Sequence, residues 1–249
     1  MTVPRFFLEP NRWAAAAPEL NPDEAHHFIH VLRGREQAPI EVFDGRGQVA
    51  RAAITSVGHG RVVLELQEVR TVPPPAVEII LYQALPKGSR WDWLIEKATE
   101  IGVARIVPLL TERCEVRLRP PGGGEAGGAP DRWLRIALSA AKQCGLARLP
   151  EITAAVRPGN WAALFANSDR VLMGVLDPAA PPLRRVLETL RRAPPARIGI
   201  LIGPEGDLTP AEISAASEAG AWPVSFGPHT LRVETAALFA LSVVRNEFG

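Results

Sequence analysis

The run Leu201–Glu212, LIGPEGDLTPAE, constrains the fold of this chain more than any other stretch. It continues an apolar run, Arg197–Ile202, that is too short for a helix and is typical of a buried strand. The turn Gly203–Gly206 follows at once: its two glycines can take positive φ or let a ligand approach the backbone, and its proline fixes φ. Thr209–Glu212 then predicts a helix start, with a Thr cap, a Pro at the first helical position and a Glu that closes a capping box. Because ligands bind at the carboxyl ends of strands in open α/β sheets, we expect a cofactor at this turn.

A second run near the C-terminus has the same arrangement. Trp222–Phe226 predicts a short strand, Gly227 and Pro228 form its turn, and Leu231–Ala236 reads as a polar bend that leads into an apolar helix ending at Asn246. The Arg and the Glu of this bend have two interpretations. One is a surface salt bridge at a helix N-terminus, where the dipole favours the carboxylate; the other is a functional pair.

The pairing of GPEG at 203–206 with LR-x-ETA at 231–236 resembles the signature of the SPOUT class of S-adenosylmethionine-dependent RNA methyltransferases. Within that class the chain is most similar to the RsmE family, which methylates N3 of a uridine in 16S ribosomal RNA of the small subunit. The similarity extends over nearly the whole chain, through short matches whose order and spacing are specific together: Arg5-Phe6-Phe7, His26-His27, Val31-Leu32-Arg33, Asp44-Gly45, Lys87, Glu96–Gly102, Pro108-Leu109, Thr111-Glu112-Arg113, Gln143 and Pro150.

Three positions depart from the family pattern. Asp207 stands where the family usually has a second Gly after GPEG, and His229 stands where it usually has an Arg. The family usually reads Gln-Ser-x-Arg in the middle of the chain, whereas here Gln143 is followed by Cys144, and the Arg comes only at Arg148.

The resemblance implies a set of site residues. S-adenosylmethionine is the implied cofactor, with no metal, and its expected contacts are Leu201, Ile202, Gly203, Pro204, Glu205, Gly206, Phe226, Gly227, Leu231, Arg232, Thr235 and Ala236. The expected RNA-binding residues are Arg5, Arg33, Lys87, Lys97, Glu100, Arg113 and Arg148.

The chemistry of such a reaction suggests the catalytic residues. Uracil N3 bears a proton and is hidden in base pairs, so an enzyme must reach an unpaired base and help that proton leave. An Arg can stabilise the developing anion, and a carboxylate or a water can accept the proton. Arg232 and Glu234 are the candidates, with Lys97, Glu100 and Arg113 on the RNA side. The structural alternative for all of them is an ion-pair network beside the sheet.

The predicted fold class is α/β in two domains, divided at the stiff run Val72–Pro75. Residues 1–72 are β-rich, with strands at 40–43, 48–57 and 61–69 and a helix at 21–32, and the resemblance implies a PUA-like RNA-binding barrel. In residues 73–249 strands alternate with helices, which indicates a mostly parallel sheet covered on both faces. There the resemblance implies a SPOUT domain with a trefoil knot. Residues 119–130, rich in Gly and Pro, predict a loop.

Composition and missing motifs exclude several classes. A net charge of +1 gives no bulk signal for nucleic acid, and Cys114 and Cys144 have no CxxC spacing. His26 and His30 share a helix face, but no third metal ligand lies near them in sequence. A Rossmann glycine turn, a Walker lysine loop and a G-x-S-x-G elbow are all missing. Without a long apolar run, the protein is expected in the cytoplasm, with no membrane contact.

Three hypotheses about function remain open at this stage. The first is the ribosomal RNA uridine N3-methyltransferase; the second is a SPOUT methyltransferase that acts on another RNA such as tRNA. The third is an RNA-binding protein with an inactive cofactor site, motivated by Asp207 and His229. A homodimer is expected because members of the class pair through the knotted domain and because 236–244 is unusually apolar for a terminal helix.

Overall fold

The computed structural model describes residues 3–88, 90–115 and 129–249, with the side chains of 129 and 130 left aside. The predicted loop at 119–130, except for its last two residues, lies outside the described residues. The chain divides into two compact units. One comprises Met1–Pro74 with Leu138–Leu149, and the other comprises Pro75–Ala137 with Pro150–Gly249.

The first unit is built on one four-stranded sheet of order β1-β2-β3-β4, in which β1 and β2 are parallel and the other pairs antiparallel. Alternate residues of these strands, such as Phe6, Val42 and Ile54, are buried in its core. The predicted strands are confirmed, and β1 is an addition. The elements are β1 Arg5–Phe7, α1 Pro10–Trp13, α2 Pro22–His26 continuing as a π-helical turn His27–Val31, β2 Pro39–Phe43, β3 Gln48–Gly58 and β4 Arg61–Thr71.

The segment Leu138–Leu149 belongs to this first unit, although it lies far along the chain. Its Ala141 and Ala147 are buried against Phe43 and Val49. The domain division at residue 72 stays a prediction. Apolar periodicity in a helix shows which face is buried but not which strands cover it.

The second unit contains a six-stranded sheet of order β10-β8-β9-β5-β6-β7 in which every pair is parallel. Apolar residues line both of its faces: Ile79 and Leu81 of β5 lie in one core, Ile80 and Tyr82 in the other. The predicted α/β class is thereby confirmed. The elements are β5 Glu78–Ala84, α3 Arg90–Ile101, β6 Arg105–Leu109, α4 Ala129–Cys144, β7 Glu151–Ile152, α5 Trp161–Phe165, β8 Arg170–Gly174, α6 Leu183–Leu190, β9 Arg197–Ile202, α7 Pro210–Glu218, β10 Ala221–Val224 and α8 Val233–Phe248. Only the first part of α4 belongs to this unit, because its residues from Leu138 onward belong to the first.

Two features of this unit bear on the predictions. Helix α8 begins at Val233, so most of the expected polar bend at 231–236 is already helical. Strand order and register do not show whether the C-terminal segment passes through a loop of the chain. The trefoil knot therefore stays a prediction from the resemblance. Over the described residues, no helix is both long and apolar enough to cross a membrane.

Candidate active site

A cavity of about 560 Å³ lies at the carboxyl ends of three adjacent parallel strands, β10, β8 and β9. The cavity is lined by the end of each strand or the residues just after it: 174–178 at the end of β8, 202–205 with Asp207 at the end of β9, and 225–233 after β10. Arg90 and Ala236 complete the wall. The edge of the sheet predicted from Gly203–Gly206 is therefore the edge where the cavity forms, as expected for a parallel sheet.

The turn after β9 is closed by its own backbone. Asp207 N–H donates to the Pro204 carbonyl oxygen at 2.9 Å, and the Asp207 carboxylate accepts from Leu208 N–H at 2.8 Å. The left-handed conformation of this turn falls on Asp207, with φ 60°, and not on Gly203 or Gly206. Of the two alternatives given for these glycines, positive φ therefore does not apply, and close approach to the backbone stays a prediction. Asp is one of the few residues other than Gly that accept this conformation. The departure at Asp207 therefore leaves the turn intact.

Gly203 and Gly206 differ in how closely they are packed. A Cβ on Gly203 would lie 3.1 Å from the backbone nitrogen of Leu208, which cannot move without opening the turn. A Cβ on Gly206 would lie 3.4 Å from the Arg113 side chain, which is ordinary contact. Close packing, not backbone conformation, requires a glycine at 203.

The start of α7 is as the sequence predicts. Thr209 Oγ1 accepts from Glu212 N–H at 3.2 Å, and the Glu212 carboxylate accepts from Thr209 N–H at 2.9 Å, which is a complete capping box. Glu212 also accepts from Glu112 N–H at 2.9 Å, so the residue that caps α7 also binds the loop after β6. Glu212 thus joins the helix start that follows the turn to the loop after β6.

The two candidate catalytic residues have different surroundings. Arg232 is the N-cap residue of α8, with an exposed side chain on the cavity wall. Glu234 is buried, with 12% of its side chain exposed, and does not line the cavity. One of its oxygens, Oε1, lies 3.5 Å from Arg90 Nε; the other, Oε2, is buried without a hydrogen-bond partner among the described residues. The sequence reading placed Arg232 and Glu234 together but did not find Arg90.

Most of the expected cofactor contacts line the cavity, namely Ile202, Gly203, Pro204, Glu205, Phe226, Gly227, Leu231, Arg232 and Ala236. Leu201, Gly206 and Thr235 do not, and Leu201 is buried in the core on the opposite face of the sheet from Ile202. The segment after β8 was missed. Its signal was present, because 171–176 reads as a strand and a parallel strand ends at the same edge as its neighbours.

The expected RNA-binding residues of the second unit are held by local partners. Lys87 Nζ lies 2.6 Å from Glu115, and Arg113 Nη1 donates to the Gly206 carbonyl oxygen at 2.8 Å. Lys97 Nζ lies 2.8 Å from Glu100, and hydrogen bonds to Glu100 and Glu96 raise the pKa of Lys97. The structural alternative, an ion-pair network, thus describes Lys97 and Glu100, whereas Arg113 supports the turn.

The expected RNA-binding residues of the first unit include both buried and exposed side chains. Only 8% of the Arg5 side chain is exposed: it pairs with Glu41 at 2.8 Å, donates to the Ala141 carbonyl oxygen and stacks on Phe43. Burial lowers the pKa of Arg5, and we assign it a packing role in place of an RNA contact. Arg148 donates to the Val72 carbonyl oxygen at 3.0 Å, and Arg33 is exposed.

The histidines singled out in the sequence, His26 and His30, lie on the same face with ring centroids 4.6 Å apart. In the described ranges, no group of three or more His, Cys, Asp or Glu side chains could hold a metal ion.

Comparison with known proteins agrees with this geometry. A family model for an RNA methyltransferase domain matches residues 73–245, and a model for an RNA methyltransferase PUA domain matches residues 20–67. Fold and sequence together define an RNA methyltransferase. A ribosomal RNA small subunit methyltransferase E from Synechocystis is 33% identical over 243 residues, which cover 96% of this chain and 76% of the relative. The chain belongs to the ribosomal RNA small subunit methyltransferase E family, RsmE.

Solved structures of similar proteins extend over the full chain. The Neisseria gonorrhoeae ribosomal RNA small subunit methyltransferase E bound to S-adenosyl methionine is 28% identical, with a TM-score of 0.82, and the match covers 100% of this chain and 99% of the other. A methyltransferase from Legionella pneumophila, solved with SAM bound, is 29% identical with a TM-score of 0.82 and covers 99% of this chain and 98% of the other.

Proposed function

We propose that this protein transfers a methyl group from S-adenosylmethionine to N3 of a uridine in 16S ribosomal RNA of the small subunit. The observation that carries the proposal is that GPEG and LR-x-ETA, far apart in sequence, form neighbouring walls of one cavity. A surface salt bridge, the structural interpretation of Arg232 and Glu234, gives no reason for those two segments to meet.

The cavity suits the cofactor. Its volume of about 560 Å³ lies within the range of about 300–1,000 Å³ found for small-molecule sites. Ile202, Phe226 and Leu231 supply apolar wall, and the Glu205 carboxylate supplies negative charge at its rim. When bound, the cofactor supplies a methyl group on a positively charged sulfonium, which transfers without a metal.

The residues of the chain must then align an unpaired uracil and assist loss of its N3 proton. Arg232 is exposed on the cavity wall, so its guanidinium can stabilise negative charge that develops on the base. Glu234 is buried away from the cavity, and we therefore assign proton acceptance to water, the alternative to a carboxylate.

The same proposal includes the setting of the enzyme. The PUA domain, with its exposed Arg33, binds ribosomal RNA within the small subunit. The enzyme works as a homodimer in the cytoplasm, where small subunits are assembled. The apolar C-terminal helix α8, which leaves Phe239 41% exposed, supports the dimer.

An inactive RNA-binding protein has less support than it had from sequence. Asp207 is one of the two departures from the family pattern that suggested this hypothesis. It keeps the turn closed in a left-handed conformation that a Gly could also take. His229, the other departure, lies on the cavity wall and does not fill the cavity. Action on another RNA is separated from the main proposal by the experiment below.

Nucleoside mass spectrometry of RNA from wild-type and deletion cells tests the proposal. We expect 3-methyluridine to disappear from 16S ribosomal RNA of the deletion strain and to return with a plasmid copy of the gene. The matched control is a plasmid that carries Arg232→Ala, which should not restore the modification. Loss of a methylated nucleoside from tRNA instead, with 16S RNA unchanged, would reject the proposed substrate.

A further inference from the structure

Arg90, the first residue of α3, lies between carboxylates of the two signature segments. Its Nη1 is 3.7 Å from Glu205 Oε1, in the turn after β9, and its Nε is 3.5 Å from Glu234 Oε1, in the first turn of α8. The Arg90 side chain is 39% exposed, and the residue lines the cavity. One side chain thus connects the two walls that the cofactor would contact.

Both carboxylates are restrained from other directions as well. Glu205 Oε1 also accepts from Lys87 N–H at 3.0 Å, which ties it to the loop after β5. Glu234 is held in the first turn of α8, where the helix dipole favours negative charge. Among the described residues, Glu234 forms its ion pair with Arg90. Removing the partner of a buried carboxylate destabilises the fold, because the charge is then buried without compensation.

The charges decide what kind of role Arg90 can have. One guanidinium faces two carboxylates, so the cluster carries a net negative charge if all three groups are ionised. Such a cluster is poorly suited to stabilise an anion on a substrate, and it suits a neighbouring cation. Arg232, which is exposed and forms no salt bridge within the described chain, is the better group for the anion.

We infer that Arg90 is a positioning residue for the cofactor cavity: it holds Glu205 and Glu234, and through them the turn after β9 and the start of α8, at the separation that the cofactor requires. The inference rests on the proposed function, because it takes S-adenosylmethionine as the ligand. Arg90 acts on binding of the cofactor and not on the transfer step.

The chain offers a matched control on the same helix. Glu247, near the other end of α8, is 15% exposed and pairs with Arg191, whose Nη2 lies 2.7 Å from Glu247 Oε2. Glu234 is 12% exposed. Each arginine therefore neutralises one largely buried carboxylate of α8, but only Arg90 lies on the cavity. Replacing either should affect the stability of the helix to a similar degree.

The test compares Arg90→Met with Arg191→Met in the full-length protein. We measure the melting temperature, the Kd for S-adenosylmethionine by calorimetry, and kcat on 16S RNA at saturating cofactor. Arg90→Met should raise the Kd about tenfold or more and leave kcat at saturation within about twofold. Arg191→Met should lower the melting temperature to a similar extent without changing the Kd. Arg90→Lys should recover part of the lost affinity.

A double-mutant cycle with Glu205→Gln checks that Arg90 acts through its carboxylate partner. Arg90→Met should cost less affinity in the Glu205→Gln background than in the wild type. If Arg90→Met does not fold, Arg90→Gln takes its place with the same expectation. An unchanged Kd in the folded variant, or a fall in kcat at unchanged Kd, overturns the inference. A wild-type protein that does not bind the cofactor rejects the proposed function itself, which is a different result.

Discussion

The backbone of Gly174, at the end of β8, packs directly against the ring of Phe226, which follows β10: a Cβ on Gly174 would lie 2.5 Å from Phe226 Cε2. Both residues line the cavity, and the Phe226 ring also packs against Phe239 of α8 at 5.9 Å between centroids. Since Phe226 is only partly buried, a methyl group at position 174 would displace its ring and not unfold the sheet.

Gly174→Ala should therefore weaken cofactor binding more than it weakens the fold. We expect the Kd for S-adenosylmethionine to rise about fivefold, because aromatic contact is worth roughly 1 kcal/mol beyond buried area. Calorimetry and thermal melting on the same sample measure both effects. Gly159→Ala is the control, since a Cβ there meets no atom within 4 Å. Equal Kd values for the two variants would contradict the role given to Gly174.

The turn after β9 should respond unequally at its two glycines. Gly203→Val should abolish detectable cofactor binding, because its side chain would press on the backbone nitrogen of Leu208 and open the turn. Gly206→Val should be milder, because a Cβ at 206 would lie at an ordinary contact distance of 3.4 Å from the Arg113 side chain and would meet no backbone atom within 4 Å. Cofactor titrations of the two folded variants measure the difference. Similar losses for both would mean that close packing does not explain the glycine at 203.

The local structure around this turn could be predicted from the sequence because its causes are local. The Thr209–Glu212 capping box and the apolar run of β9 are confirmed, and both depend on residues within a few positions of one another. The strands of the first unit are confirmed for the same reason, within one or two residues at their ends. The carboxyl edge of the sheet then follows from the parallel strands.

The remainder depends on contacts between distant residues. The parallel pairing of β1 with β2 and the packing of Leu138–Leu149 in the first unit join segments that no periodic pattern connects. Arg90 was missed as a site residue for the same reason: its partners Glu205 and Glu234 lie more than a hundred residues further on. Positive φ, one of the two alternatives given for the glycines of the turn, falls instead on Asp207.

Variants of Arg232 should distinguish a role in methyl transfer from a role in cofactor binding. If it stabilises charge that develops only as N3 loses its proton, Arg232→Ala should lower kcat by roughly two to three orders of magnitude and leave the cofactor Kd nearly unchanged. Arg232→Lys keeps the charge but loses the planar fork and should also be poor. Raising the pH should partly rescue Arg232→Ala, because solvent then deprotonates more of the uracil. A pH–rate profile measures this.

The structural alternative for Arg232 predicts a different pattern. If the side chain only anchors the start of α8, Arg232→Ala should lose melting temperature and cofactor affinity together, with no recovery at high pH. Measuring all three quantities on the same preparation decides between the two roles.

The proposed homodimer predicts the mass of the particle in solution. Light scattering at micromolar concentration should give twice the chain mass of 26.9 kDa. Phe239→Asp, on the exposed side of α8, should shift the particle towards monomer if this helix forms the interface. Thermal melting serves as the control for folding. A wild-type monomer at this concentration would refute the dimer.

Transfer of an isotope-labelled methyl group in vitro tests the central claim most directly. Purified protein, labelled S-adenosylmethionine and small subunits or 16S RNA from the deletion strain are incubated together, and the digested RNA is analysed by nucleoside mass spectrometry. The label should appear in 3-methyluridine of 16S RNA with the wild-type protein, and far less of it with Arg232→Ala. Label in any other nucleoside would contradict the account. So would incorporation of label that does not exceed the level without enzyme, on both small subunits and 16S RNA.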